Sequence, residues 1–152
     1  MGKVLIIAHR GASAYEPENT LRSTKKALEL GADMVEIDVR TSRDDHIMVI
    51  HDEMVNRTTN GKGYVKDMTL KELKKLNAGL GEPIPTLQEV AEFIRGKAQL
   101  VVEIKVLGIE EKVLQIIKEN ELDKQVLVTS FYHPILKRGK ELEPNVRTGA
   151  II

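Results

Sequence analysis

The sequence predicts an α/β protein built on a parallel sheet with helices outside it. Three observations carry this. Apolar strand-like runs alternate with amphipathic stretches of helical period along the whole chain. The connections between them are mostly short. The 152 residues suffice for one domain with a proper core and are too few for two ordinary ones.

"KVLIIAH" is a continuous apolar run of the kind buried on both faces of a sheet. "NTLRSTKKALELG" follows as a helix, with Leu21, Ala27 and Leu28 at helical spacing and Gly31 as its C-terminal cap. "DMVEIDVR" and "HIMVIHD" read as the second and third strands. The long connection from Asp52 to Pro85 holds the turn signals of "TTNGKG" and a capped helix near Thr69. "TLQEVAEFIRG" opens with the capping box Thr86 and Glu89 and presents Leu87, Val90, Ala91 and Ile94 on one face. "AQLVVEIKV" is the fourth strand, "GIEEKVLQIIKENEL" a helix, "QVLVTSF" the fifth strand, "PILKRGKEL" a helix and "NVRTGAII" the sixth strand.

Composition removes several classes of function. With 23 basic and 23 acidic residues there is no net charge to attract nucleic acid or an anionic membrane, and aromatics at 3% offer no base-stacking platform. No cysteine means no disulfide scaffold and no thiolate metal site. The apolar stretch Val4 to Ala8 is too short for a signal-peptide core or a membrane span, so the expected setting is cytoplasmic, without stable membrane insertion.

Polar residues gather at strand ends. His9 and Arg10 end the first strand, Glu36 and Asp38 the second, His51 and Asp52 the third, Glu103 and Lys105 the fourth. Taken singly each is ordinary; their recurrence at equivalent ends is not. Strand alternation puts Glu36 with Asp38, and Glu103 with Lys105, on one face. Three carboxylates there would repel one another without a cation, and an oxygen-only set favours Mg2+ or Ca2+ over zinc. In parallel α/β folds, open or barrel, ligands bind at the carboxyl ends of strands.

Other motifs fail. "DEMVNRTTNGKG" has the length of an EF-hand loop but places Met54 where an oxygen ligand is needed. No G-x-G-x-x-G or G-x-S-x-G is present, and His46 and His133 sit in turns. A divalent ion with two histidines and two cations suits a phosphate ester. The histidines would take a proton from the attacking oxygen and give one to the leaving oxygen, while the fork of Arg10 and the point charge of Lys105 hold phosphate oxygens.

The segments "AHRGASAYEPENT", "VEIDVRTSRDDHIMVIHDEMVNRTTNGKG", "IPTLQEV" and "VVEIK" closely resemble the glycerophosphodiester phosphodiesterase family, from about Leu5 to Phe131. The resemblance implies a (β/α)8 TIM-barrel type of fold, here with about six βα units, a single incomplete catalytic domain over 1–152 and an insertion at 52–85 after the third strand. It implies metal-dependent hydrolysis of a small glycerophosphodiester to an alcohol and glycerol 3-phosphate, with glycerol's own hydroxyl attacking first to give a cyclic phosphate that water then opens. Carried over by position, His9 and His51 are the acid/base pair, Glu36, Asp38 and Glu103 the ligands of Mg2+ or Ca2+, and Arg10 and Lys105 the phosphate contacts. Glu18 and Asn19 match P-E-N-T and fix its loop, Asp52 orients His51 or its loop, and Phe131 either lines the pocket or packs in the core.

Six visible strands fall short of eight, and no late W-T-V-N type segment is present. Three arrangements stay open: a piece of a longer chain, closure by a second chain, or a rearranged homo-oligomer. Phospholipase D-like cleavage of a lipid head group and a non-catalytic fragment that binds metal or phosphate are the rival functions.

Overall fold

The computed structural model describes residues 2–152. Its strands are β1 (Ile7–His9), β2 (Met34–Thr41), β3 (Ile47–Val49), β4 (Gln99–Ile104), β5 (Val126–Ser130) and β6 (Arg147–Ala150). Its helices are α1 (Leu21–Glu29), α2 (Leu70–Lys74), α3 (Leu87–Ile94), α4 (Glu110–Glu119) and α5 (His133–Leu142). Strands pair in the order β1-β2-β4-β5-β6, all parallel, with β3 attached to β2. The order advances in one direction without reversal. That is the progression of a barrel wall and not of a doubly wound sheet, whose order turns back at a switch point.

The sheet forms because one face of each inner strand is aliphatic. Val35, Ile37 and Val39 on β2 and Leu100, Val102 and Ile104 on β4 are fully buried, and they pack with Leu87, Val90, Ala91 and Ile94 of α3 and Val113, Leu114 and Ile117 of α4. The capping box expected at α3 is present. Thr86 accepts from the amide of Glu89, whose carboxylate reaches back to the amide of Thr86. Thr69 and Glu72 make the same arrangement at α2. A second apolar cluster, Met48, Ile50, Val55, Val65, Leu73, Ala78 and Ile84, lies under the segment 52–85. Among the described residues no helix is long and apolar enough to cross a membrane.

Two expectations need correction. The third strand is not parallel: β3 runs antiparallel to β2, with Val39 opposite Val49 and Thr41 opposite Ile47. Its link to β2, residues 42–46, is a tight turn in which the Ser42 amide donates to His46 O and the Asp45 amide to Ser42 O. Parallel neighbours need a crossover of about a dozen residues or more, so so short a link permits only a hairpin. The first strand is not doubly buried either. Its apolar run stands at the sheet edge, and Leu5, Ile6 and Ile7 are each more than half exposed because β1 pairs with β2 alone.

The α3 cap gives a direct stability test. Thr86→Ala should cost about 1 kcal/mol, seen as a lower urea midpoint with an unchanged slope.

Candidate active site

Strand register assembles the acidic cluster. Asp38 and Glu103 are direct partners across β2 and β4, Glu36 precedes Asp38 by one alternation, and His9 is the partner of Glu36 across β1 and β2. Glu36, Asp38 and Glu103 each offer a carboxylate oxygen within 4.8 Å of the others, and all three residues are buried. Glu36 Oε1 and Asp38 Oδ1 are buried with no hydrogen-bond partner. A buried acceptor left without a donor costs about 1–3 kcal/mol, and more when charged. Burial, then the charges of Asp38 and Glu103, push the Glu36 carboxyl up to about 8 against the opposing pull of Arg10 and Lys105. Orphaned oxygens, a held proton and an oxygen-only donor set all fit a hard divalent cation.

The turn after β1 places the next groups. His9 Nε2 lies 3.6 Å from Glu36 Oε2, and the ring is otherwise mostly exposed. Arg10 and Gly11 then take φ values of 57° and 77°. A Cβ on Gly11 would stand 2.3 Å from Ser23 Oγ and 2.8 Å from the backbone carbon of Ser23, so only glycine fits. Asn19, also left-handed at φ 55°, donates its amide to Arg10 O (2.9 Å) and its Nδ2 to Asp38 Oδ2 (3.0 Å). Its Oδ1 accepts from the Asp38 amide. Asn19 therefore fixes the Asp38 side chain and backbone together. The guanidinium of Arg10 lies against Asp38 (Nε to Oδ2, 3.6 Å), and its Nη1 donates to Glu18 Oε1 at 3.1 Å.

His51 reaches the same rim because the hairpin folds back: Ile50 donates to Asp38 O, and Arg40 Nε donates to His51 O at 2.7 Å. Its Nδ1 is 2.7 Å from Asp52 Oδ1, which leaves Nε2 as the nitrogen available for proton transfer. Arg57 binds both oxygens of Asp52, each at 2.9 Å, and both oxygens of Glu18, at 3.1 and 2.7 Å. Its guanidinium holds the Asp52 carboxyl far below the usual carboxylate range and lowers that of Glu18. At the far side Lys105 Nζ donates to Glu103 Oε1 at 2.9 Å and stands 5.6 Å from the centre of the Phe131 ring. Phe131 itself is more than half exposed, hence not a core residue.

All the residues singled out from the sequence thus meet along one rim. Two partners were missed. Arg40 carried a usable signal, since it follows Glu36 and Asp38 on the same face of β2. Arg57 carried none, because its pairing with Glu18 spans 39 positions and two loops. His46 lies apart, beside Asp44, and His133 beside the carbonyl of Ile151.

The profile of the glycerophosphoryl diester phosphodiesterase family matches residues 9–152. The chain belongs to this family. A relative described as a glycerophosphodiester phosphodiesterase from Caldanaerobacter subterraneus subsp. tengcongensis is 50% identical over 98% of this chain and 67% of that protein. Among solved structures of the family, the glycerophosphodiester phosphodiesterase from Agrobacterium tumefaciens superposes with a TM-score of 0.91 at 34% identity, over 96% of this chain and 66% of that one. A phosphodiesterase from Oleispira antarctica, solved in complex with the product sn-glycerol-3-phosphate, gives 0.90 at 36%, over 98% and 66%. Against these family members the chain spans about two thirds of their length. The fold is thus of TIM-barrel type, seen here as part of the barrel wall.

The raised Glu36 pKa sets a pH dependence. A carboxyl that titrates near 8 when folded and near 4.5 otherwise adds stability that is full below about 4.5 and is lost as pH rises towards 8. Metal-free protein should therefore lose thermal midpoint between pH 5 and 8, and MgCl2 or CaCl2 should restore more of it at pH 8 than at pH 5, as read by calorimetry.

Proposed function

We propose that this chain hydrolyses glycerophosphodiesters to an alcohol and glycerol 3-phosphate. The observation that carries the reading is the meeting of His9 and His51 with three buried carboxylates at one rim, two of whose oxygens lack partners. Family membership and the product held by the Oleispira antarctica neighbour support the substrate class.

Glu36, Asp38 and Glu103 would hold one Mg2+ or Ca2+, which when bound polarises the phosphoryl oxygens and offsets the charge that grows on them. The chain's own groups do the rest. His9, mostly exposed beside Glu36, and His51, held at Nδ1 by Asp52, exchange protons with the attacking and leaving oxygens through their free nitrogens. Asp52 stays ionised because the guanidinium of Arg57 is paired with it, so it steers the imidazole without taking its proton. Arg10 and Lys105 supply positive charge on either side of the cluster, each already aligned by a carboxylate. Residues 52–85 serve as an insertion that walls the site and belongs to the same catalytic unit.

The test is release of glycerol 3-phosphate from glycerophosphodiesters. EDTA should abolish it and added Mg2+ or Ca2+ restore it. His9→Asn and His51→Asn should each lower kcat by about 10²–10⁴-fold with the fold intact by circular dichroism. Metal-independent turnover, or full activity in both variants, overturns the reading.

A further inference from the structure

Two recesses meet beside the carboxylate cluster. One, of about 340 Å³, is walled by Arg40, Glu53, Glu103, Lys105, Phe131 and Tyr132. The other, of about 220 Å³, is walled by Arg40, Thr41, Glu53, Tyr64, Lys66 and Val106. Arg40 and Glu53 are common to both, so the second continues the first away from Glu103 as one trough. Its total size reaches the ~300–1,000 Å³ range of small-molecule sites. A diester centred on the carboxylate cluster has an arm on each side of phosphorus, and the trough leads outward from that centre on the side of His51, whose carbonyl Arg40 binds.

The lining chemistry is selective. Arg40 commits its Nε to that carbonyl, and among the described residues neither terminal nitrogen of its fork has a hydrogen-bond partner. Lys66 is exposed and its Nζ stands 5.6 Å from the centre of the Tyr64 ring. Aromatic faces are what a quaternary ammonium group needs, and those of Tyr64 and Phe131 here already carry an ammonium, Lys66 and Lys105. Beyond Glu103, which belongs to the acidic cluster and is paired with Lys105, the outer trough sets two cations, Arg40 and Lys66, against one anion, Glu53. A second anionic group on the alcohol would meet the open fork of Arg40 and the ammonium of Lys66. A choline arm would meet like charge.

We propose that this trough seats the alcohol arm of the diester and selects anionic alcohols over quaternary ammonium ones. The inference rests on the hydrolytic reading above and adds its specificity.

The experiment compares glycerophosphoinositol 4-phosphate with glycerophosphocholine, using the full chain with saturating divalent ion. The expected kcat/KM favours the inositol phosphate by about tenfold, the scale of one charge contact near a protein surface. Lys66→Glu should remove that preference, and do so through KM. Binding of each diester to His51→Asn, measured by calorimetry, should show the same order and the same response to Lys66→Glu. Equal kcat/KM for the two diesters, or a Lys66→Glu protein that keeps the original ratio, overturns the proposal while hydrolysis stands. If neither diester is cleaved, the hydrolytic reading fails, and the calorimetric order alone decides whether the trough selects anionic arms.

Discussion

Three carboxylates packed into a buried rim are the constraint on which this structure turns. Strand register alone forces them together, since Asp38 faces Glu103 across β2 and β4 and Glu36 sits one alternation away. Mutual repulsion in so dry a place is severe, and the surroundings answer it only in part. Asn19 gives Asp38 two hydrogen bonds, Arg10 leans on Asp38, and Lys105 caps Glu103. What remains unanswered is two buried oxygens, Glu36 Oε1 and Asp38 Oδ1, that no donor of the protein reaches. Such a set of oxygens fits a divalent cation.

Holding those partners in place has a conformational cost. Arg10 and Asn19 both adopt left-handed backbone, each a strain of order 1–3 kcal/mol that persists only where the surroundings over-determine it. Here they do. The carbonyl of Arg10 accepts from both the Asn19 amide and Ser23 Oγ, while Gly11 donates back to Ala8 and Glu36. The first loop, the start of α1 and β2 are thereby knitted into one unit around Asp38. From there ion pairs run through Glu18 and Arg57 to Asp52 and His51, so the charges that brace Asp38 also position that imidazole, while His9 is held separately beside Glu36.

Much of this was legible in the sequence, and for physical reasons. Alternation along a strand fixes which side chains share a face, so E-x-D and E-x-K could be read as one cluster before any coordinates. Capping boxes announce helix starts through local hydrogen bonds, and Thr69 and Thr86 do so. The direction of β3 was available as well, in the shortness of the link at 42–46, but an apolar run looks the same whichever way it pairs. An open edge was readable from the count, since six strands fall short of the eight that close a barrel, but the apolar run of β1 by itself says that a residue can be covered and not what covers it. Arg57 was beyond reach for a similar reason: long-range ion pairs between loops leave no period.

Strand β3 separates two interiors. Ile47 and Val49 point into the main cluster with the helices, while Met48 and Ile50 belong to the smaller one beneath residues 52–85. A single thin partition therefore divides the sheet scaffold from the segment carrying Glu53, Tyr64 and Lys66. Insertions, deletions or repacking beyond that partition can reshape the wall of the cleft while the carboxylate scaffold keeps its spacing, so the outline of the recess and the spacing of its acidic floor can vary independently.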